Sequence, residues 1–231
     1  MIPHVATFFW ILVGGILPAV IWLLFWLRED RLHPEPRSIV ILTFIAGMIA
    51  VPLAIPIQRA VNDPTNTSLT FLLWAIIEEI LKFGAFFLVA LRSGEVDEPT
   101  DSLIYIMTAA LGFAAAENAL FLLEPITHGN ITESLITGNM RFVGASLLHT
   151  VSSAFIGACM ALTFYKAKFT KRFAIFVGLV GAIALHALFN IFIMKGSDGT
   201  TAAAFGFVWI LIIALMLVFE KVKRTYAVDT L

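Results

Sequence analysis

A strongly apolar stretch of the sequence carries three ionisable side chains near its centre. The stretch is FLLWAIIEEILKFGAFFLVAL, residues 71–91, and the three side chains are Glu78, Glu79 and Lys82. Such groups cost about 2.5–3.5 kcal/mol each in the middle of a membrane helix on insertion scales, so they are rare there and usually functional. Glu78 and Lys82, spaced i, i+4, could form a structural ion pair, but that pair leaves Glu79 without a local partner. The stretch therefore indicates chemistry within a membrane.

Three later apolar stretches also carry acids, bases or amides. They are Glu117 and Asn118 in residues 103–123, Arg141 and His149 in residues 141–165, and His186 and Asn190 in residues 173–194. Small residues recur at every fourth position of these stretches, which lets membrane helices approach closely. We therefore expect the polar groups of the four stretches to meet in one cavity.

This set of side chains is typical of a site that hydrolyses a carbonyl compound, most simply a peptide bond. A Glu with a His partner can activate water as a general base, and a second His and an Asn can donate to the oxyanion of a tetrahedral intermediate. Ser146, Ser152 and Ser153 flank His149, but no Ser-His-Asp set is evident.

A metal is the alternative way to activate water with these residue types. Two His and one Glu form the ligand set of a catalytic zinc site, so His149, His186 and a Glu could hold zinc. The HExxH signature is absent from the sequence. We therefore favour a glutamic-type mechanism without a cofactor, and zinc remains the alternative.

The composition predicts an all-α polytopic membrane helix bundle. The 231 residues are 60% hydrophobic, against about 45–50% apolar residues in soluble domains. A helix needs about 20 apolar residues to span a bilayer, and backbone groups in lipid must be satisfied within the helix. Seven segments qualify: 5–27, 39–57, 69–91, 103–123, 141–165, 173–194 and 201–219. We expect short connections between the seven segments, the longest at 124–140. The whole chain, 1–231, is expected to form a single domain with the site within about 70–195.

The first, second and seventh segments supply no acid, base or amide.

Basic residues are divided unequally between the two sides of this bundle. The first, third and fifth connections and the tail hold 11 Lys and Arg, and the other side holds Arg59 and Lys195. The positive-inside rule then places the N-terminus outside and the C-terminus in the cytoplasm. Helix rise places the Glu and His side chains about 9–14 Å from the outer helix ends, so we expect the cavity in the outer half of the membrane.

Charge and cysteine content exclude other classes. The net charge of -1 implies no nucleic-acid partner, and the single cysteine, Cys159, excludes a disulfide framework and a multi-cysteine zinc site.

The polar blocks resemble, in order, those of the PrsW family of intramembrane proteases. EEILK, from Glu78 to Lys82, is similar to the EExxK motif of that family. The other blocks are Asp101 with FxxxEN from Phe113 to Asn118, Arg141 with His149 and Gly157, and HxxxN from His186 to Asn190. The resemblance covers about residues 70–195, over half of the chain.

This resemblance implies an intramembrane endopeptidase that hydrolyses a membrane-anchored protein near the extracytoplasmic side, and it implies a set of site residues. The implied catalytic residues are Glu78, Glu79, Glu117, His149 and His186, with Lys82, Asn118, Arg141 and Asn190 in support. The implied partners are the lipid bilayer and a single-span membrane protein such as an anti-sigma factor, and the implied location is the prokaryotic plasma membrane. The wider group includes type II CAAX prenyl endopeptidases, but Lys82 and Glu117 depart from their EExxxR and FxxxH motifs. A prenyl-cysteine substrate is therefore not expected.

Two other classes share some of these features. A proton-coupled transporter also keeps Glu, His and Lys in its membrane interior, and this is the alternative function. Transporters usually contain repeated halves, which the sequence lacks. A retinal protein would need a lysine in the last span, and residues 201–219 contain none.

Overall fold

The computed structural model describes residues 5–30, 33–195 and 198–229, and these residues form helices and no strand. The helices are α1 (Val5–Leu27), α2 (Arg37–Ala60), α3 (Thr67–Phe86), α4 (Pro99–Thr127), α5 (Ile131–Met140), α6 (Ser146–Leu162), α7 (Lys168–Lys195) and α8 (Asp198–Asp229). Two π-helical segments continue them: Phe87–Leu91 extends α3, and Arg141–Ala145 joins α5 to α6. The predicted all-α polytopic bundle is confirmed.

Six helical stretches are long and apolar enough to cross a membrane. They are α1, α2, α4, the joined α5 and α6, α7 and α8. Helix α3 is not one of the six, because it carries Glu78, Glu79 and Lys82 within 20 residues. The seventh span and the orientation of the bundle therefore stay predictions, and Arg31, which contributed to the orientation, lies outside the described residues.

Helix α4 forms the centre of the bundle and contacts α1, α2 and α6. Glycines allow this close contact. A side chain on Gly47 of α2 would overlap the Ala109 carbonyl of α4, and one on Gly112 of α4 would overlap the Phe44 carbonyl of α2. Helices that cross on small residues gain van der Waals contact along both backbones. The crossing fixes α4 next to α2 just before the turn that carries Glu117.

The connection predicted at residues 124–140 is wrong, because most of it is helical. Helix α4 continues to Thr127, and Gly129, with a φ of 71°, ends it in the left-handed region. Asn130 then caps α5: its Oδ1 accepts a hydrogen bond from the Glu133 backbone N–H (3.1 Å), and its Nδ2 donates to the Glu133 carboxylate (2.8 Å). Capping of this kind satisfies backbone N–H groups that have no partner within the helix. The cap starts a continuous helical path that leads into the π segment at Arg141.

Candidate active site

One cavity of about 510 Å³ contains most of the predicted polar side chains. Its polar lining consists of Glu78, Glu117, Arg141, His149, His186 and Asn190. Aromatic side chains of α3, α4, α7 and α8, including Trp74, Phe121 and Phe205, form much of the remaining wall. A pocket of this size, mostly apolar with a few convergent polar groups, is typical of a binding or active site.

Glu79 is fully buried and holds several elements together. Its Oε1 accepts hydrogen bonds from Lys82 Nζ (2.8 Å) and Ser152 Oγ (3.0 Å), and its Oε2 accepts one from Ser153 Oγ (2.7 Å). His186 Nδ1 lies 2.8 Å from the same Oε1. A buried carboxylate is tolerated when it is paired and hydrogen-bonded in this way. Glu79 thus links α3 to α6 and α7 and has little capacity left for a substrate.

Glu78, the preceding residue, has a different environment. Its Oε1 accepts a hydrogen bond from Gln58 Nε2 of α2 (2.9 Å), but its buried Oε2 has no hydrogen-bond partner. That oxygen lies 3.6 Å from His186 Nε2, 3.9 Å from His149 Nδ1 and 3.7 Å from Lys82 Nζ. An unsatisfied buried carboxylate oxygen in a native site calls for a functional explanation, such as an unseen water or ion.

Glu117 and Asn118, from α4, bind the first residue of the π segment. The Arg141 guanidinium donates from Nη2 to Glu117 Oε2 and from Nε to Asn118 Oδ1, the second at 2.6 Å. Asn118 also donates to Ser146 Oγ (3.0 Å). Single π turns within α-helices are frequent at functional sites. Here the π turn brings Arg141 into the cavity beside Glu117.

The hydrogen-bond partners of the two histidines show which ring nitrogen of each one carries hydrogen. Lys82 Nζ lies 2.7 Å from His149 Nδ1, and an ammonium can only donate, so this Nδ1 accepts and Nε2–H donates to Glu117 Oε2 at 2.9 Å. His186 Nδ1 faces the Glu79 carboxylate and therefore carries hydrogen. The Nε2 lone pair of His186 is then free and faces Glu78 Oε2.

The charges of the site do not balance. Glu79 pairs with Lys82 and Glu117 pairs with Arg141. Glu78 is left with only the longer contact to Lys82. Since an unpaired buried charge is costly, the Glu78 carboxyl must share a proton or receive further positive charge. Glu78 is therefore the carboxyl of the set whose charge is least compensated.

A metal ion fits part of this arrangement. Glu78, His149 and His186 each offer one ligand atom within 4.8 Å of the others. The hydrogen bond from His186 Nδ1 to Glu79 is the outer contact that metal-binding histidines usually make. In contrast, Lys82 Nζ occupies the His149 Nδ1 lone pair. These three residues could hold zinc once Lys82 moves away from that nitrogen.

The structure brings together all of the predicted site residues. Asn190 lines the cavity beside His186, one helical turn away, and Lys82 and Asn118 are buried against the lining residues. The sequence interpretation missed Gln58: α2 extends to Ala60, so an amide from this helix does reach the site. It also left Ser146, Ser152 and Ser153 without a role. Their position on the helical face of His149 was the available signal, because i+3 and i+4 neighbours share a face.

Comparison with known proteins identifies the family. The model described as "PrsW family intramembrane metalloprotease" matches residues 35–219. A protease PrsW of Oceanobacillus iheyensis is 30% identical over 196 residues, which cover 83% of this chain and 86% of that protein. A protease PrsW of Geobacillus kaustophilus is 27% identical over 191 residues, which cover 79% of each chain. A protease PrsW of Bacillus subtilis is 29% identical over 166 residues, which cover 70% of this chain and 71% of that protein. No solved structure matches the chain significantly. The chain therefore belongs to the PrsW family of intramembrane proteases.

Proposed function

We propose that this chain is an endopeptidase that hydrolyses a single-span membrane protein, such as an anti-sigma factor, in the prokaryotic plasma membrane. The observation that carries the proposal is the unpartnered Oε2 of Glu78, which faces His186 Nε2 within the cavity. A water that contacts both atoms from the cavity would donate one hydrogen to each of them. Such a water is placed to attack a peptide carbonyl that enters the cavity.

The reaction needs one base, one oxyanion donor and one acid. Glu78 takes a proton from the water as its oxygen bonds to the carbonyl carbon, and the negative charge develops on the carbonyl oxygen. The Asn190 amide, which lines the cavity one turn from His186, is the proposed donor to that oxygen. Protonated Glu78 then gives its proton to the leaving nitrogen as the C–N bond breaks, so the same carboxyl acts as base and then as acid.

Glu79 and Lys82 orient the two histidines of the cavity. Glu79 orients His186 by accepting from Nδ1, and Lys82 does the same for His149 by donating to its Nδ1. Both imidazoles are thereby held in fixed tautomers. Preorganised donors and acceptors of this kind need no reorganisation during the reaction.

Zinc is the second candidate for water activation, favoured by the convergence of Glu78, His149 and His186 and by the description of the matched family as metalloproteases. A bound zinc would act as a Lewis acid and lower the pKa of its water. We favour the metal-free version because Lys82 already occupies His149 Nδ1.

Chelation distinguishes the two versions. We expect purified protein to keep its activity in 1,10-phenanthroline, which removes transition metals, and to contain no stoichiometric zinc by elemental analysis. A known zinc protease treated in parallel is the control for effective chelation. Loss of activity that zinc restores at one ion per chain would contradict the metal-free version.

The cavity suggests where the substrate is cut. From the polar groups it extends along α3 to Phe71, along α4 to Phe121 and along α7 to Ile193. Each of these residues lies toward the helix end that the basic-residue count predicts to face outside. A substrate helix must unwind locally before attack, and unwinding is easiest near a helix end, where hydrogen bonds are already incomplete. We therefore propose cleavage near the extracytoplasmic end of the substrate span.

The test uses a bacterial anti-sigma factor with a different tag at each end, mixed with purified protein in detergent. We expect two products whose masses place the cut near the extracytoplasmic end of the span. A cut at the cytoplasmic end would contradict the predicted orientation. Ion flux in liposomes without any cleavage would favour the transporter and contradict the proposal.

A further inference from the structure

A second cluster of acidic side chains lies far from the cavity. Asp30 follows α1, Glu35 precedes α2, and Asp101 lies in the first turn of α4. One carboxylate oxygen from each lies within 4.8 Å of the other two. Asp101 and Glu117 are 16 residues apart on α4, so helix rise separates the two clusters by about 24 Å. This acidic cluster therefore cannot take part in the hydrolysis.

Asp30 is the member whose environment points to a ligand. It is 7% exposed, and its Oδ2 is buried without a hydrogen-bond partner. Asp101 differs, because its Oδ2 accepts from the backbone N–H groups of Asp97 (2.9 Å) and Glu98 (2.5 Å). Asp101 Oδ2 is thus satisfied by capping α4, whereas the buried Oδ2 of Asp30 has no such hydrogen bonds.

Within the described residues, the two basic side chains that act on Asp30 are shared with other acids. His33 and Lys223 both act on Asp30, but His33 lies 3.2 Å from Glu98, and Lys223 lies 2.7 Å from Glu29. Burial, followed by repulsion from neighbouring carboxylates, raises the pKa of Asp30 to about 7. Burial therefore favours the protonated form of Asp30, and a bound cation would displace that proton.

We propose that Asp30, Glu35 and Asp101 bind a hard divalent cation, Ca²⁺ or Mg²⁺. All three ligands are carboxylate oxygens, the donors that these cations prefer. The cation joins the segment between α1 and α2 to the start of α4. Because α4 carries Glu117 and packs on both α1 and α2, this cross-link stabilises the bundle at the end opposite to the opening of the cavity.

The test is calorimetric titration of Ca²⁺ into purified full-length protein that has been freed of metal, with Mg²⁺ competition to distinguish the two ions. We expect one saturable site. Asp30→Asn and Glu35→Gln should each weaken the affinity at least about tenfold, since even outer-shell changes at metal sites cost 10–100-fold. Glu35 is only partly buried, so its variant should fold even if Asp30→Asn does not.

Two matched variants locate the ion. Asp97→Asn makes the same change at an exposed position just before α4 and should bind Ca²⁺ like the wild type. His186→Ala alters the cavity and should also leave Ca²⁺ affinity unchanged, whatever it does to proteolysis. The proposal is overturned if the wild type binds neither ion. It is equally overturned if Asp30→Asn and Glu35→Gln bind like the wild type, or if His186→Ala alone abolishes binding.

Discussion

Glu78→Gln is expected to lower the rate of substrate cleavage at least about 100-fold, the scale of a removed general base. The amide keeps the size of the side chain and can still contact Gln58, but it cannot accept a proton from water. Removing the negative charge also relieves the charge imbalance of the site. We therefore expect the variant to be as stable as the wild type or more stable. The measurement is the initial rate of cleavage of the tagged anti-sigma factor, together with thermal unfolding in detergent.

The neighbouring glutamate and a distant one serve as comparisons. Glu79→Gln should also lose activity, but with lowered thermal stability, because Glu79 accepts from Lys82, Ser152 and Ser153. Glu124→Gln makes the same change at an exposed position of α4 and should change neither rate nor stability. A Glu78→Gln protein that cleaves at the wild-type rate would refute the assignment of Glu78 as the base.

Lys82→Met is expected to destabilise the folded protein by about 3–5 kcal/mol, the usual cost of removing one partner from a buried ion pair. Lys82 is fully buried, and its Nζ donates to Glu79 Oε1 at 2.8 Å. Methionine fills nearly the same volume but leaves the Glu79 carboxylate without its cation. The measurement is the loss of folded protein on heating or in denaturant, in the detergent used for purification.

A double variant separates the charge effect from catalysis. Glu79→Gln combined with Lys82→Met removes both charges and should recover much of the lost stability, since replacing a whole buried ion pair is often neutral. The double variant should still be inactive, because His149 Nδ1 loses its donor and a neutral amide holds the His186 tautomer less strongly than a carboxylate does. Lys166→Met, at an exposed position, is the control and should unfold like the wild type. Equal stability of Lys82→Met and Lys166→Met would contradict the buried pair.

Much of the site could be predicted because the membrane makes polar residues conspicuous. An ionisable group is costly in lipid, so Glu78, Glu117, His149 and His186 stand out in apolar stretches with no other reason to contain them. Their helical spacing relative to small residues predicted which faces pack together. The order of the motifs predicted the family. These inferences depend only on residue type and local periodicity, and both can be read from the sequence without a structure.

The helix ends were predicted less well, and for a physical reason. Gln58 lies at the polar margin of an apolar stretch, where composition cannot tell a loop from the last turn of a helix. Residues 131–140 contain Thr, Ser, Gly and Asn, so their hydropathy is that of a connection. The Asn130 cap and the packing that follows make them helical nevertheless. The length of a helix in such a margin depends on capping and tertiary contacts rather than on apolar content.

Only the tertiary structure distinguishes the environments of the two adjacent glutamates. In the sequence, Glu78 and Glu79 have the same chemistry and both lie within reach of Lys82. The fold presents Glu79 to two serines of α6 and to His186 of α7, which saturate it, and presents Glu78 to the cavity with one oxygen unpartnered. A difference of about 100° around one helix therefore separates a fully hydrogen-bonded carboxylate from one with an unpartnered oxygen. The sequence determined which residues could do the chemistry; the neighbouring helices determined which carboxyl is left free to do it.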